Sequence, residues 1–239
     1  MIKLDILSDT ICPWCYIGKA NLERALEKVG DHPFEIEWHP FQLNPNMPAG
    51  GVDRRTYLET KFGGQEGAVK AYLPVAQHAE NAGLKINFEG IEVTPNTLDA
   101  HRLIHWAGLE GKQTAMVAAL FRAYFVDGRN IGDHETLADI AGEVGLDREM
   151  IARLLASDAD LETIKSRDAH SREMGVSAVP TFIVDGLGGL GKLPIIPSYV
   201  KEEVLDDGSG TTIKCRNYAG KTVEMPGLGQ NYSLPTRSN

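Results

Sequence analysis

The chain has 239 residues, 42% of them hydrophobic and 24% charged, the balance of an ordinary globular protein able to bury a core without disulfide or metal staples. With 33 acidic against 24 basic side chains its formal charge is −9, which repels phosphate backbones and anionic lipid and argues against nucleic-acid or membrane-surface partners. Three cysteines, Cys12, Cys15 and Cys215, are too few and odd in number for a secreted disulfide framework. The N-terminus lacks the basic and apolar regions of a signal peptide. No apolar run approaches the ~20 residues of a bilayer span, so a cytoplasmic location is expected.

Ile2 to Leu7 alternates apolar and polar residues, which predicts a short strand with one buried face. From about Cys15 the pattern turns helical, with Leu22, Leu26 and Val29 on one face and Gly30 as the stop. Phe34 to Trp38 alternates again and runs into Pro40. Strand, helix and strand make a βαβ unit, expected to be parallel and right-handed.

The Pro- and Gly-rich stretch from Asn44 to Val52 marks a module boundary. Beyond it the pattern predicts helices over Arg54–Phe62, Gln65–Ala82, Thr97–Leu109, Gln113–Val126, His134–Val144, Arg148–Leu155 and Leu161–Met174. Pro74 is expected to kink or split the second, since it lacks a backbone donor. Thr181 to Val184 returns to strand character. The fold class is therefore α/β, with an all-helical block inside an α/β module: residues 1–52 and 175–239 as the two parts of that module and 53–174 as the insertion. After Gly186, glycines and prolines loosen the chain. Ser198 is placed to cap a short helix through Leu205, Thr211 to Tyr218 with Thr222 to Met225 reads as a hairpin, and the last dozen residues as a tail.

Cys12-Pro13-Trp14-Cys15 places two cysteines three apart where a helix begins, so they face each other across one turn. The first sulfur sits where the N–H groups of the first turn point, and these donors with the helix dipole favour a thiolate. Cys12 is then the nucleophile, and Cys15, lying deeper, attacks it to release the partner. Pro13 suits the first turn because its missing N–H is not required there. Trp14 reads as an exposed apolar platform for a substrate chain, ahead of a filler beside the insertion. A zinc half-site is the competing reading, but only Cys215 and seven scattered histidines are left to complete it.

Gly175 to Phe182 carries the second signal. A proline directly before a strand-like run cannot donate to a ladder, and a cis Val179–Pro180 bond in a tight turn resolves the conflict.

Together these motifs resemble the thioredoxin superfamily, and the helical insertion narrows the likeness to its DsbA-like branch. More closely, Ser8 to Lys19, Trp38 to Pro45, Asn96 to Leu103 and Gly175 to Phe182 resemble the FrnE-type dithiol oxidoreductases, over about residues 1–186. The resemblance implies a thioredoxin-like fold and thiol–disulfide exchange on protein or peptide thiols and disulfides. It implies Cys12 as attacking and Cys15 as resolving cysteine, Pro180 as the cis proline, and the Val179 backbone as a pairing edge for an extended substrate. No dissociable cofactor is implied. The related 2-hydroxychromene-2-carboxylate isomerases and kappa-class glutathione transferases carry serine at the position matching Cys12. Their glutathione-binding region resembles Asn96-Thr97, which keeps Asn96 as a substrate-binding candidate, glutathione as a partner, and a glutathione-dependent isomerase or transferase as the alternative activity. The segment after Gly186 departs from the family's second hairpin strand and closing helix.

Elsewhere, His39 reads as structural ahead of a proton relay, and His101 and His105 as packing ahead of a metal pair. Leu120, Phe121, Tyr124 and Phe125 read as the core of the insertion. Asp133-His134-Glu135 is a helix start, and Cys215 a bystander in a strand.

Overall fold

The computed structural model describes residues 2–184, 193–195, 204–206, 211–216 and 222–225. They belong to two compact units, Met1–Ile195 and Ile196–Asn239. In the first, strand β1 (Ile2–Ser8) leads to helix α1 (Pro13–Val29) and to strand β2 (Phe34–Pro40). β1 and β2 pair in parallel, Ile2 opposite Phe34 and Ser8 opposite Pro40, as the alternating pattern predicts. Gly30 ends α1 at φ 77° and donates its N–H to the Leu26 carbonyl. The apolar stripe of α1 is covered only in part: Leu22 and Leu26 are half-buried, and Val29 is 60% exposed.

The chain then forms β3 (Val52–Asp53), α2 (Arg54–Phe62), α3 (Gln65–Asn81) and β4 (Val93–Thr94). β3 and β4 make a two-residue antiparallel ribbon that closes the start of the insertion. Gly51 allows it, for at φ 72° a Cβ there sits 2.7 Å from Val93 Cγ1. Helices α4 (Leu98–Leu109), α5 (Gln113–Phe125), α6 (His134–Glu143), α7 (Arg148–Leu155) and α8 (Leu161–Glu173) complete the block. Every helix of the insertion ends within one residue of its sequence expectation.

The helix starts at α2, α6 and α7 are capped by aspartates. Asp53, Asp133 and Asp147 accept from the backbone N–H of Thr56, Thr136 and Met150, each cap worth about 1 kcal/mol. Pro74 does not split α3. It forfeits one backbone hydrogen bond, while Val75 and Ala79 beside it pack against Trp14 and Ile17, and that burial outweighs the loss.

β5 (Thr181–Val184) returns to pair antiparallel with β1, and β6 (Leu193–Ile195) pairs antiparallel with β5. The sheet order is β2-β1-β5-β6. The expected departure from a second hairpin strand is thus corrected: β6 is that strand, too short and too close to Pro194 to carry a readable pattern.

One face of the sheet, with Leu4, Ile6, Trp38 and Phe182, joins a core with Leu103, Met116, Leu120, Phe121, Tyr124 and Phe125 of the insertion. Leu120, Phe121, Tyr124 and Phe125 are fully buried, the core role expected of them. The outer edge of β2 is tied to α5 by one side chain. Gln113 accepts from the Trp38 N–H at 2.8 Å and donates to its carbonyl at 3.0 Å, satisfying the edge as a neighbouring strand does. Trp38 Nε1 adds a bond to Thr114 Oγ1 at 3.0 Å.

The second unit contains β7 (Val204–Asp206), β8 (Thr211–Arg216) and β9 (Thr222–Met225), antiparallel in that order. β8 and β9 are the hairpin read from the sequence. The helix expected to run through Leu205 is replaced there by β7, which gains backbone bonds from β8. The start of that helix, the tail and the side chain of Cys215 lie outside the described residues. Among the described residues no helix is long and apolar enough to cross a membrane.

Candidate active site

β1 delivers the chain to a tight loop, Asp9 to Ile11, and Cys12 becomes the N-cap of α1 with extended backbone (φ −86°, ψ 112°). Its N–H donates to the Asp9 carbonyl at 3.0 Å, and its own carbonyl accepts from Cys15 at 3.0 Å and Tyr16 at 3.2 Å. Pro13 takes the first helical position, where no donor is lost. Both cysteines are free thiols, Cys12 3% and Cys15 1% exposed. Burial pushes the Cys15 thiol well above its ordinary value, and the adjacent Cys12 sulfur pushes the same way. The Ser8 hydroxyl and the Asp9 backbone offset only part of this. The two thiols thus have unequal surroundings, the deeper one held protonated.

The Val179–Pro180 bond is cis, as the sequence conflict predicts. It places the Val179 carbonyl 3.7 Å from Cys12 Sγ, which donates to it. Pro180 is buried against α1 at Gly18, where a Cβ falls 3.0 Å from Pro180 Cγ. Glycine at position 18 is what lets the proline turn reach the cysteines. Thr181 Oγ1 fastens the turn from its other side, donating to the Ala178 carbonyl at 2.7 Å.

Cys12, Cys15, Pro13, Val179 and Pro180 therefore come together. Trp14 does not project as an exposed platform. It is half-buried, packs with Ile17, Val75 and Ala79, and tilts against the His78 ring at 5.4 Å between centroids. α3 offers it apolar surface, which an exposed indole lacks. Asn96 has its polar atoms engaged within the fold: Nδ2 donates to the Met47 carbonyl at 2.7 Å, and Oδ1 accepts from Leu98 N–H at 2.9 Å and Gln42 Nε2 at 3.3 Å.

Ser8, Asp9 and Gly18 are site residues that sequence reasoning passed over. Asp9 is fully buried, and its Oδ2 accepts from the Leu43 N–H at 2.7 Å, so the cysteine loop is tied to the segment after β2. Its Oδ1 lies 3.5 Å from His101 Nε2, itself 3% exposed. Ser8-Asp9-Thr10 reads as an ordinary strand end, and only burial distinguishes this aspartate from a turn residue. His39 bridges Asp5 at 2.8 Å and Arg167 at 2.9 Å, a structural role. Asp5, Glu37 and His39 are close enough to share a metal ion. Lys3, 2.8 Å from Glu37 and 3.3 Å from Asp5, and Arg167, 2.9 Å from Glu37, already neutralise those carboxylates.

Comparison with known proteins agrees with this geometry. Residues 3–196 match the model of the DSBA-like thioredoxin domain. YwbO of Bacillus subtilis (strain 168), an uncharacterised protein, is 30% identical over 184 residues, 77% of this chain and 86% of its own. The crystal structure of a "probable DsbA oxidoreductase" from Streptomyces coelicolor superposes with a TM-score of 0.70 at 26% identity, over 89% of this chain and 99% of that one. The cytosolic disulfide reductase DsbM of Pseudomonas aeruginosa, solved with GSH, shares the fold with a TM-score of 0.59 at 22% identity, over 81% of this chain and 89% of its own. A cysteine pair at the start of the first helix, facing a cis-proline turn across a thioredoxin-like sheet with a helical insertion, places the chain in the DSBA-like thioredoxin domain family.

Proposed function

We propose that the chain is a thiol–disulfide oxidoreductase of FrnE type that works through the Cys12/Cys15 dithiol on protein or peptide disulfides, with glutathione as a further thiol partner, in the cytoplasm. The observation that carries the reading is the unequal pair: Cys12 at the helix N-terminus against the Val179 carbonyl, and Cys15 behind it, buried with its thiol pushed up. The Cys12 thiolate attacks one sulfur of a substrate R–S–S–R′. A Cys12–S–R bond forms as the S–S bond breaks, and R′–S⁻ leaves and takes up a proton. Cys15 then gives up its proton and attacks Cys12 Sγ, closing the Cys12–Cys15 disulfide and releasing R–S⁻. The substrate disulfide gains two electrons and the dithiol loses them; run backwards, the same steps oxidise a substrate dithiol.

Holding Cys15 protonated keeps it from competing as the first nucleophile. The half-buried Val179 backbone beside Cys12 suits an extended peptide laid along the turn as an added strand. A glutathione-dependent isomerase or transferase is the alternative, and the thiol at position 12 favours dithiol exchange over it. The test is reduction of a peptide disulfide, coupled to a thiol donor, by wild type and Cys12→Ser. Turnover falling to the uncatalysed rate in the variant supports dithiol exchange. Turnover retained by Cys12→Ser removes it.

A further inference from the structure

Arg54 and Arg102 are the buried arginines among the described residues, 6% and 1% exposed, and they are held in opposite ways. Arg102 pairs with Asp99 at 2.7 Å and donates to the carbonyls of Ala159, Leu154 and Ser157, each at 2.7 Å. Its charge and donors are accounted for within the fold. Arg54 has no such set. Among the described residues it forms no ion pair, and its guanidinium donates only to two phenols, Tyr124 at 3.1 Å and Tyr72 at 3.2 Å. The same two rings flank it, their centroids 5.9 Å and 5.5 Å from Cζ. Burial raises both phenols above their ordinary range, Tyr124 to about 12, so both are neutral and neither cancels the charge. A buried guanidinium without a counter-charge is costly, and its planar fork matches a carboxylate.

The location gives the charge a use. Tyr72 lies on the face of α3 that continues through Val75 and Ala79 to pack on Trp14 and Ile17 at the start of α1. Its phenol is within electrostatic range of the Cys12 sulfur. The Tyr124 hydroxyl has an acceptor in the Val93 carbonyl at 3.2 Å. The Tyr72 oxygen accepts from Arg54, and no described group accepts its proton. An O–H polarised by a guanidinium and left without an acceptor is a donor set for an anion.

We propose that Arg54 and Tyr72 form an anion-binding subsite beside Cys12 that takes the carboxylate of a thiol or disulfide substrate. The proposal deepens the exchange reading and rests on it for the identity of the substrate. On a chain with a net charge of −9, such a subsite lets an acidic substrate approach a cysteine that the overall field repels.

The test uses two alkylating agents of the same chemistry, iodoacetate and iodoacetamide, which differ in a carboxylate. Each reacts by attack of the Cys12 thiolate on the methylene carbon with iodide leaving, and modification of Cys12 is followed by mass spectrometry. The quantity read is the ratio of the iodoacetate to the iodoacetamide rate constant. It is expected to fall about tenfold in Arg54→Gln and about threefold in Tyr72→Phe, the scale of one charge-assisted and one neutral hydrogen bond. A ratio within twofold of wild type in both variants overturns the subsite. If Arg54→Gln does not fold, Tyr72→Phe, which keeps the ring and its packing, decides alone by the same criterion. Alkylation needs no disulfide turnover, so this result and the Cys12→Ser turnover result fail separately.

Discussion

The Cys12 sulfur and the Val179 carbonyl oxygen lie 3.7 Å apart although 167 positions separate them in the chain. β1 and β5 are neighbours in the sheet, Leu7 opposite Thr181, so the loop after one and the turn before the other meet at the same edge. The cysteines and the proline turn thus form one site only when the insertion is spanned and the sheet is closed.

That meeting depends on Gly18. A methyl group there sits 3.0 Å from Pro180 Cγ and 3.6 Å from Phe182, tight enough to push the turn off the helix by a few tenths of an ångström. Gly18→Ala is expected to cost about 1–3 kcal/mol by overpacking and to slow peptide-disulfide reduction. Urea unfolding and a turnover assay measure both. A variant with wild-type stability and rate means the turn has room to spare.

Reduced protein is expected to lose stability in alkali through Cys15. Its thiol is raised well above the ordinary 9.0, so above that pH the unfolded chain releases a proton that the folded chain retains. The contribution is fully present below pH 9.0 and is lost as pH rises toward the higher folded value. Chemical denaturation of reduced wild type at a series of pH values should show this fall, and Cys15→Ala should flatten it. Parallel curves for the two proteins contradict the assignment.

Tyr124 adds a second alkaline step with the same sign. Its hydroxyl titrates near 12 in the fold against 10.0 unperturbed, so its contribution is lost between those values. Tyr124→Phe should remove that step. Below it, the variant should be less stable by about 1–3 kcal/mol, because the Val93 carbonyl and the Arg54 guanidinium lose a partner.

Asp9→Ala should be among the costlier single changes near the site. It leaves the Leu43 N–H and the buried His101 without their carboxylate, a loss of about 3 kcal/mol. Removing the exposed cap carboxylate in Asp133→Ala should cost about 1 kcal/mol. Equal losses in the two denaturation curves dismiss the structural role given to Asp9.

The helices of the insertion were legible because long amphipathic stretches with glycine stops repeat a strong local signal; Arg54–Phe62 and Arg148–Leu155 agree to the residue. The dithiol was legible because its spacing and its place after a strand are local. The ribbon of Val52–Asp53 with Val93–Thr94 and the strand Leu193–Ile195 were not: two or three residues carry no period, and their pairing is set by distant chain. Trp14 was misplaced because its partners Val75 and Ala79 lie on another helix. Arg54 gave no sign in the sequence, since an arginine after an aspartate reads as a solvated helix start until Tyr72 and Tyr124 are seen to enclose it.

The division of labour between Cys12 and Cys15 is tested most directly by trapping. Cys15→Ala is incubated with a peptide disulfide, quenched with acid and mapped by mass spectrometry. Exchange through an attacking Cys12 predicts a mixed disulfide accumulating on Cys12, with wild type passing on to the Cys12–Cys15 disulfide and free peptide thiol. Absence of an adduct on Cys12 under conditions where wild type turns over contradicts the mechanism.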